Sequence, residues 1–420
     1  METLDETTRS VELNDRLPLP TLKFCLKKIE SSFKDEATFV HHYTGLNALD
    51  AILREGFLRA TDARFLNDSS EVTHGEDILS SALSIKDKNT CLLRPLSVSF
   101  CETGDSLEHW AIYAKELGIS LGMDFDIDKT INSPSLSIES KAKKIDGHEP
   151  TEIFDPLGII QPLKVIYAEN INAQDEAGNI KVQRLLDAYS MILSEKDGEI
   201  QAPPNFNSAF CKLFSTLVKK EVFCYEKEYR FIVVPVIDID WNQKINFWAT
   251  DSAIKPYVNL CFTYEDKKTG IFRNIGWPIA SITIGPGREQ RRTFESVVAR
   301  LELGEVKAFE ITFAKFKDRL EKYLRKILSD VFHDEEKERE LTESILGSIF
   351  SADIKMQDDI HANSYEKAKE LILRMYQEFD TLKGKLTEEK QASFEKILEA
   401  NYFSWHGIHV FQSTVPYVFA

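Results

Sequence analysis

The sequence predicts an α+β fold that carries a helical insertion. Strand-like and helix-like spacings of apolar residues alternate between residues 39 and 305. From residue 307 to about residue 401 the spacing is helical throughout, with almost no proline and with abundant Glu, Lys and Leu. The segment 406–418 then returns to the alternation of a strand. A terminal strand after an all-helical stretch indicates that the helices are inserted into the α+β domain.

This pattern divides the chain into three regions. Residues 1–36 form an N-terminal tail and helix, residues 37–305 together with 405–420 form the α+β domain, and residues 306–404 form the insertion. The length of 420 residues agrees with two or three domains of roughly 150 residues each. The insertion is a candidate surface for a protein partner or for self-association, and a stabilising brace is the alternative.

Each predicted element rests on local signals. Thr44 is the expected cap of a helix whose apolar stripe ends at Gly56, and Glu71 stands three residues after Asp68, as in a capping box. The elements before residue 126 are helix Leu22–Phe33, strand Phe39–Tyr43, the helix from Thr44 to Gly56, strand Phe57–Thr61, the helix opened by Asp68, strand Leu96–Cys101, helix Ser106–Glu116 and strand Ile119–Phe125. After a polar excursion over 126–158 come strand Leu163–Tyr167, two helices within 180–222, strand Tyr229–Ile239, strand Ile282–Ile284, and the turn Gly285–Arg288 into a helix that ends near Leu303.

Composition excludes several classes of protein. There are 52 Lys and Arg against 68 Asp and Glu, a net charge of −16, which argues against a surface built for non-specific nucleic-acid binding. The polar start METLDETTRS does not resemble a secretory signal, and the longest apolar run, Phe231 to Ile239, is too short to cross a bilayer. We therefore expect a cytoplasmic protein that does not bind membranes.

The cysteines and histidines give no metal-site pattern. None of the six cysteines has CxxC spacing, so we expect buried thiols in a reducing compartment. His406 and His409 lie three apart in a strand-like segment, where alternation points them to opposite faces. We therefore expect no metal. The common nucleotide-triphosphatase, hydrolase and metalloprotease motifs are also missing from the sequence.

The segment 225–230, YEKEYR, is the strongest candidate for chemistry. Period two places Glu226, Glu228 and Arg230 on one face of the predicted strand, and Lys227 and Tyr229 on the other. Two carboxylates beside one guanidinium at the start of an apolar strand are costly to bury unless they form ion pairs or act in catalysis. Both interpretations stay open: a catalytic site and a structural ion-pair cluster.

Other polar and aromatic residues each have a functional and a structural interpretation. His42, at the end of the first strand, can bind a ribose hydroxyl or be a core histidine. Trp110 and Tyr113 share a helix face, where they can stack on a ligand ring or pack in the core. Arg288, in the glycine-rich turn before a helix, can hold a phosphate or be solvated. Asn67 is less easily explained by capping than its neighbours Asp68 and Glu71.

Six short motifs in order resemble a bacterial family known as domain of unknown function 2971, which is often found near abortive-infection and phage-defence genes. The motifs are HHYTGLNALDAILREGFLRA, RFLNDSSE, SVSFC with HWAIYA, YEKEYRFIV, ITIGP and VFQSTVPY. The resemblance covers about 39–305 and the last dozen residues, and it leaves 306–400 as an insertion. The family name alone implies no activity.

A weaker resemblance implies one. The sequence His42-Tyr43-Thr44 with the helix that follows is similar to the first strand and helix of ADP-ribosyltransferases of the poly(ADP-ribose) polymerase type. In that family the first-strand His binds the ribose of NAD, an aromatic residue stacks on nicotinamide, and a late-strand Glu is catalytic. The resemblance assigns these roles to His42, to Tyr113 or Trp110, and to Glu228 in an E-x-E arrangement with Glu226. Tyr43 departs from the pattern, which has glycine there.

The resemblance implies split antiparallel sheets around a cleft and NAD as substrate. Cleavage of the nicotinamide–ribose bond builds positive charge on the sugar, which a carboxylate can stabilise. His42, Tyr43, Thr44, Asn67, Trp110, Tyr113, Arg230 and Arg288 are the predicted NAD-binding residues, and Glu228, His42 and Glu226 the predicted catalytic ones. His42, Glu228 and an aromatic residue of 110–113 are expected to line one cavity.

Three functions follow as hypotheses. The first is ADP-ribosyl transfer from NAD to a protein or nucleic-acid acceptor, or NAD hydrolysis, in a phage-defence or toxin system. The second is a catalytically inactive sensor or antitoxin-like interaction protein on the same fold. The third, a nucleic-acid-processing enzyme with another mechanism, is disfavoured by the net charge and by the absence of a metal motif.

Overall fold

The computed structural model describes fourteen stretches of the chain. They are residues 19–32, 38–66, 70–85, 95–114, 118–127, 134–140, 153–157, 159–194, 206–233, 244–250, 253–307, 313–350, 364–404 and 406–415. The strands are β1 (Phe39–Gly45), β2 (Leu58–Asp62), β3 (Leu96–Cys101), β4 (Gly118–Asp124), β5 (Ser135–Ser140), β6 (Ile153–Pro156), β7 (Leu163–Lys164), β8 (Ile166–Tyr167), β9 (Val218–Lys219), β10 (Glu228–Val233), β11 (Asn246–Ala249), β12 (Ile254–Asp266), β13 (Ile271–Gly276), β14 (Ile279–Ile284), β15 (Asn401–Phe403) and β16 (His409–Gln412).

Helices account for most of the remaining described residues. They are α1 (Leu19–Ser32), α2 (Leu46–Glu55), α3 (Ser70–Ala82), α4 (Gln183–Ser194), α5 (Phe206–Ser215), α6 (Gln290–Leu303), α7 (Phe313–Phe332), α8 (Glu335–Ile349), α9 (Ser364–Lys383) and α10 (Glu388–Ala400). A short helical segment spans Leu107–Ala114, and 3₁₀ turns span Ala63–Phe65 and Glu221–Glu226. The mixture of helices and mostly antiparallel strands confirms the predicted α+β class. No helix in the described stretches combines the length and apolar character needed to cross a membrane.

The contacts divide the chain into two compact units. The first unit contains Met1–Val40, Phe57–Thr103 and Phe125–Gly276, and the second contains His41–Gly56, Gly104–Asp124 and Trp277–Ala420. The predicted insertion, 306–404, lies entirely within the second unit.

The first unit contains strands in the order β7-β10-β3-β2-β12-β5-β6, with β11 and β13 also paired to β12. Strand β10 pairs with β3 antiparallel along its whole length, from Glu228 opposite Cys101 to Val233 opposite Leu96. Because side chains alternate, Phe100 and Phe231 share one face. Their rings meet edge to face at 5.8 Å, in a core that also holds Phe125 and Phe262. We call this the apolar face.

The opposite face, which we call the polar face, carries Arg230, Ser99, Thr61 and Tyr257. The strand registers place Ser99 opposite Arg230, Ser97 opposite Thr61, and Thr61 opposite Tyr257. Residues two apart on one strand share a face, so the four side chains lie on one continuous face formed by β10, β3, β2 and β12.

The second unit contains strands in the order β15-β16-β14-β4-β1. Strand β16 pairs with β14 in parallel, from Ser281 opposite His409 to Ile284 opposite Gln412. This pairing joins the C-terminal strand to the strand that contains residues 282–284. Helix α6 packs against β14 and β16.

Helices α7 to α10 surround an apolar cluster of their own, which includes Leu324, Ile349, Met375, Phe379 and Phe394. The helical spacing predicted for residues 307–401 is therefore confirmed over the described helices of 313–349 and 364–400. Arg319 on α7 is buried and donates to the carbonyl oxygens of Ile279 and Gly407, at 3.2 and 3.3 Å. These bonds attach the first helix of this group to the backbone around β14 and β16.

Several local predictions need correction. Strand β1 continues through Thr44, and Gly45 precedes α2 without a side-chain cap, whereas Gly56 ends α2 as predicted with φ of 75°. The excursion over 126–158 contains the β5–β6 hairpin. Strand β12, the longest in the described part of the chain, was not predicted. Its sequence, IKPYVNLCFTYED, shows neither strict alternation nor a short apolar run, so the usual strand signals do not mark it.

The cysteine prediction is confirmed in part. Cys25, Cys101, Cys211 and Cys261 are buried and form no disulfide, but Cys224 is exposed. Cys224 lies on the 3₁₀ turn Glu221–Glu226. Cys91 lies outside the described residues.

Candidate functional site

Five buried charged side chains form an ion cluster in the first unit. Three are carboxylates and two are cations, and each side chain is between 3% and 6% exposed. We call this group the ion cluster, and its members are Glu71, Lys219, Glu226, Glu228 and Arg230. It contains Glu226, Glu228 and Arg230, the three residues that the YEKEYR motif was predicted to place on one face.

The guanidinium of Arg230 organises one side of the cluster. Its Nε donates to Glu228 Oε1 at 2.7 Å, and its Nη2 donates both to Glu228 Oε2 at 2.7 Å and to Glu71 Oε2 at 2.7 Å. The remaining Nη1 donates to the carbonyl oxygen of Thr216 at 2.7 Å. Such a bidentate pair holds both oxygens of Glu228 in a fixed plane.

The ammonium of Lys219 organises the other side. Its Nζ lies 2.7 Å from Glu71 Oε1, 2.7 Å from Glu226 Oε2 and 3.4 Å from Glu228 Oε2. The same Nζ lies 4.8 Å from the centroid of the Phe223 ring. Three carboxylates and one aromatic ring therefore replace the water that a lysine normally has around it.

The mutual charges favour the ionised forms of Glu228, Lys219 and Arg230. Burial alone would raise the pKa of Glu228, but the charges of Arg230 and Lys219 outweigh it and the pKa lies below its usual value. Burial likewise opposes the charges of Lys219 and Arg230, yet the neighbouring carboxylates raise the pKa of both. With three anions and two cations, the formal charge of the cluster is −1.

Local backbone geometry brings Glu226 and Glu228 to the same place. Glu226 ends the 3₁₀ turn, and Lys227 then adopts a left-handed conformation with φ of 44° before β10 begins. The backbone N–H of Glu228 donates to the hydroxyl of Tyr167 at 2.9 Å. Glu226 therefore reaches Lys219 from a turn, although the predicted common face of Glu226, Glu228 and Arg230 assumed one continuous strand.

Lys227 and Tyr229 point to the other side, as predicted. The hydroxyl of Tyr229 donates to Glu102 Oε1 at 3.1 Å, and Lys227 Nζ lies 3.7 Å from Glu102 Oε2. This partly exposed carboxylate is separated by the strand from the ion cluster.

In the second unit, an aromatic group forms around Tyr43. Its ring stacks on His109 with centroids 5.2 Å apart, meets Trp110 edge-on at 4.8 Å and lies 6.5 Å from Tyr113. Trp110 is fully buried and donates its Nε1–H to Asp105 at 2.7 Å. Trp110 thus packs in the core, while Tyr43 and Tyr113 are half-buried.

Strand alternation separates the residues of the HHYT segment. His42 and Thr44 lie on the face of β1 opposite to His41 and Tyr43, so His41 shares a face with the ring of Tyr43. His41 was not among the predicted site residues. Burial lowers the pKa of His41 to about 4, and its Nδ1 lies 3.4 Å from the Ser120 hydroxyl. The His41 ring lies so close to Gly104 that a side chain at position 104 would collide with it.

The remaining predicted NAD-binding residues are dispersed. His42 and Thr44 are half-buried in the second unit, and Arg288 is exposed in the turn before α6. Asn67 and Asp68 lie outside the described residues. Since His42 belongs to the second unit and Glu228 to the first, their convergence on one cavity stays a prediction.

Two members of the ion cluster were missed in the sequence. Glu71 was assigned to helix capping, but its carboxylate binds Lys219 and Arg230. Lys219 and Lys220 are adjacent, and nothing in that pair marks which one turns inward. The apolar residues Leu217 and Val218, which directly precede Lys219, are the available signal.

Comparison with known proteins gives one match. A family model described as "Protein of unknown function (DUF2971)" matches residues 109–231, which confirms the predicted resemblance over that segment. The match includes four members of the ion cluster, Lys219, Glu226, Glu228 and Arg230, together with Trp110 and Tyr113. No curated protein and no solved structure matches the chain. In the stretches that the structure describes, no group of His, Cys, Asp and Glu has the arrangement of a metal site.

The first prediction concerns Arg230. Arg230→Met should lower the free energy of unfolding by about 3–5 kcal/mol, because Glu71 and Glu228 would stay buried without their shared guanidinium. Urea denaturation measures the loss. Arg273→Met is the control, because its ion pair with Asp266 is at the surface and the Arg273 side chain is 58% exposed, so the loss there should stay below about 1 kcal/mol. Equal losses in the two variants would contradict the proposed energetics of the cluster.

The second prediction concerns three half-buried histidines of the second unit, His41, His406 and His409. Burial lowers the pKa of His41 to about 4 and the pKa values of His406 and His409 to about 3. Between about pH 6.5 and those values the unfolded chain binds more protons than the folded chain, so stability should fall as the pH falls.

His409→Gln should flatten this fall, because glutamine does not titrate and can still donate to Asn401, whose Oδ1 lies 2.9 Å from His409 Nε2. The expected difference from the unmodified protein grows by up to about 1.4 kcal/mol for each pH unit below 6.5. The control is His333→Asn at an exposed left-handed position, which should leave the slope unchanged. Parallel pH curves for His409→Gln and the unmodified protein would refute the prediction.

Proposed function

We propose that the chain cleaves the nicotinamide–ribose bond of NAD and transfers ADP-ribose to a macromolecule or to water. One observation carries the proposal: the ion cluster holds three carboxylates against two cations in a buried position. A cluster that served packing alone would be expected to balance its charges, since each unpaired buried charge is costly. A surplus anion suits a site where positive charge develops during a reaction.

The chemistry fits these groups. When the bond between ribose C1′ and the nicotinamide nitrogen breaks, its electron pair leaves with nicotinamide and the sugar becomes cationic. Glu228, held by Arg230, supplies a fixed negative charge that needs no reorganisation as the cation forms. An acceptor hydroxyl or water then bonds to C1′, and its proton passes to a carboxylate.

Glu226 is the carboxylate that we assign to this proton transfer. It ends a turn whose preceding residues, Cys224 and Tyr225, are exposed, and the Tyr225 side chain is 46% exposed. Glu228 is enclosed by Arg230 and Lys219, whereas Glu226 stands between Lys219 and this exposed turn. The side chains of Glu226 and Glu228 are equally buried, at 5% exposure, so the assignment to Glu226 rests on the exposed residues beside it in the chain.

The ADP-ribosyltransferase-like split sheet and the NAD contacts of His42, Tyr43, Thr44, Asn67, Trp110, Tyr113 and Arg288 belong to this proposal, as the resemblance implies. The proposal also includes a cytoplasmic setting in phage defence or a toxin system. It further includes a surface on 306–404 for a partner or for self-association. NAD acts as substrate, and the proposed reaction needs no metal.

A second candidate is an interaction protein without catalysis. The observation that favours it is the bidentate contact of Arg230 with both oxygens of Glu228, which is typical of a structural ion pair. In that case the cluster would fix α3 and the turn before β10 for a partner to bind.

Incubation of the purified protein with NAD labelled on nicotinamide, with and without a cell lysate, tests the proposal. The unmodified protein should release labelled nicotinamide. Glu226→Gln and Glu228→Gln should each slow the release by roughly a hundredfold or more, because a stabilising charge is lost in the transition state.

Glu221→Gln is the matched control, since Glu221 lies on the same 3₁₀ turn and pairs at the surface with Lys181. Its rate should not change. Folded fractions measured by urea denaturation separate lost catalysis from lost structure. An unmodified protein that releases no nicotinamide in either condition would reject the proposal and leave the interaction protein.

A further inference from the structure

An arginine and two aromatic rings lie together on the polar face of the first unit. The Cζ atom of Arg59 on β2 lies 4.9 Å from the ring centroid of Tyr257 on β12 and 5.5 Å from that of Trp248 on β11. These distances are within the range of cation–π stacking. We call Arg59, Trp248, Tyr257 and the adjacent Lys255 the stacking platform.

The strand registers place the four residues of the platform on one face. Arg59 is opposite Asn259, and Trp248 is opposite Lys255. Residues 255, 257 and 259 alternate with the buried core residues Val258 and Leu260, so all of them point away from the apolar face. Phe247, the neighbour of Trp248, points to the other side and stands opposite Pro256.

The platform is accessible and positively charged. Arg59 is exposed, the side chain of Trp248 is 37% exposed, and Tyr257 and Lys255 are half-buried. The ammonium of Lys255 donates to the carbonyl oxygen of Phe65 at 2.8 Å. Among the described residues, no carboxylate forms an ion pair with Arg59 or Lys255, although the chain carries a net charge of −16. An exposed guanidinium that stacks on two rings and has no ion-pair partner in the described part of the chain favours an anionic partner.

Stacked rings beside a guanidinium and an ammonium fit one chemistry closely. Nucleobases stack on Trp, Tyr and the guanidinium plane of Arg, and their phosphates bind the neighbouring cations. Aromatic side chains on adjacent strands of an exposed sheet face can hold successive bases, provided that these bases are unpaired and can separate. A duplex does not present its bases in this way.

The geometry points to a binding site for single-stranded nucleic acid on the stacking platform. Bases stack on Trp248 and Tyr257, with the Arg59 guanidinium between them, and Arg59 and Lys255 contact phosphates. The site is local, so it does not conflict with the acidic composition. It also does not depend on NAD cleavage, because it concerns other residues and binding alone.

The test measures the binding of fluorescein-labelled oligothymidylate and oligouridylate to the full-length protein by anisotropy, without NAD. Both oligonucleotides should bind at low salt. With two phosphate contacts, a plot of log K against log salt concentration should have a slope of about −1.4. Trp248→Ala and Arg59→Ala should each weaken binding roughly 5- to 150-fold, as expected for the loss of a stacked partner.

Each variant has a matched control. Phe247→Ala removes the neighbouring exposed ring on the opposite face. Arg273→Ala removes an exposed arginine on β13 that forms an ion pair with Asp266. Neither should change affinity. Arg59→Lys keeps the positive charge but removes the planar guanidinium group. It should therefore retain the slope of log K against log salt concentration and lose most of the stacking affinity.

Three results would overturn the inference. The first is no binding of either oligonucleotide at low salt. The second is equal weakening by the platform variants and their controls. The third is displacement of the oligonucleotide by AMP or by polyglutamate as effectively as by unlabelled oligonucleotide, since AMP would indicate a mononucleotide pocket and polyglutamate would indicate simple anion binding.

Discussion

Five charged side chains can be buried together in the first unit because each of the two cations contacts more than one of the three carboxylates. Lys219 contacts all three carboxylates and Arg230 contacts two, so neither cation loses its solvation without replacement. These contacts also connect three separate elements, because Glu71 begins α3, Lys219 ends β9 and Arg230 lies within β10. The position of the helix over the polar face of the sheet therefore depends on charge pairing as much as on apolar packing.

Much of this arrangement could be predicted from local sequence. Period two in YEKEYR indicated that Glu228 and Arg230 share a face, and the apolar run after them indicated burial. The helical spacing after residue 307 and the strand-like alternation at the C-terminus indicated the order of elements in the second unit, because such spacings are properties of short segments.

Pairing between distant segments could not be predicted in the same way. The contact of Glu71 with Arg230 spans 159 positions, and the capping motif offered a sufficient local explanation for Glu71. His42 was chosen over His41 because its place at the strand end and the His-Tyr-Thr resemblance pointed to it, and strand alternation does not say which face contacts the aromatic group. Arg59, Trp248 and Tyr257 come from three strands, two of which belong to a region of the sequence without clear alternation.

The polar face of the first unit carries charges of opposite sign at two places. The ion cluster, with a formal charge of −1, lies at β10, and the stacking platform, with two cations, lies at β2, β12 and β11. The row Ile232, Ser97, Thr61 and Tyr257 joins them across four strands, about 14 Å at the usual strand spacing. A face with this charge separation can orient a ligand that carries both signs before any of its atoms make close contact, because opposite charges at two points fix a direction that a single charged patch cannot.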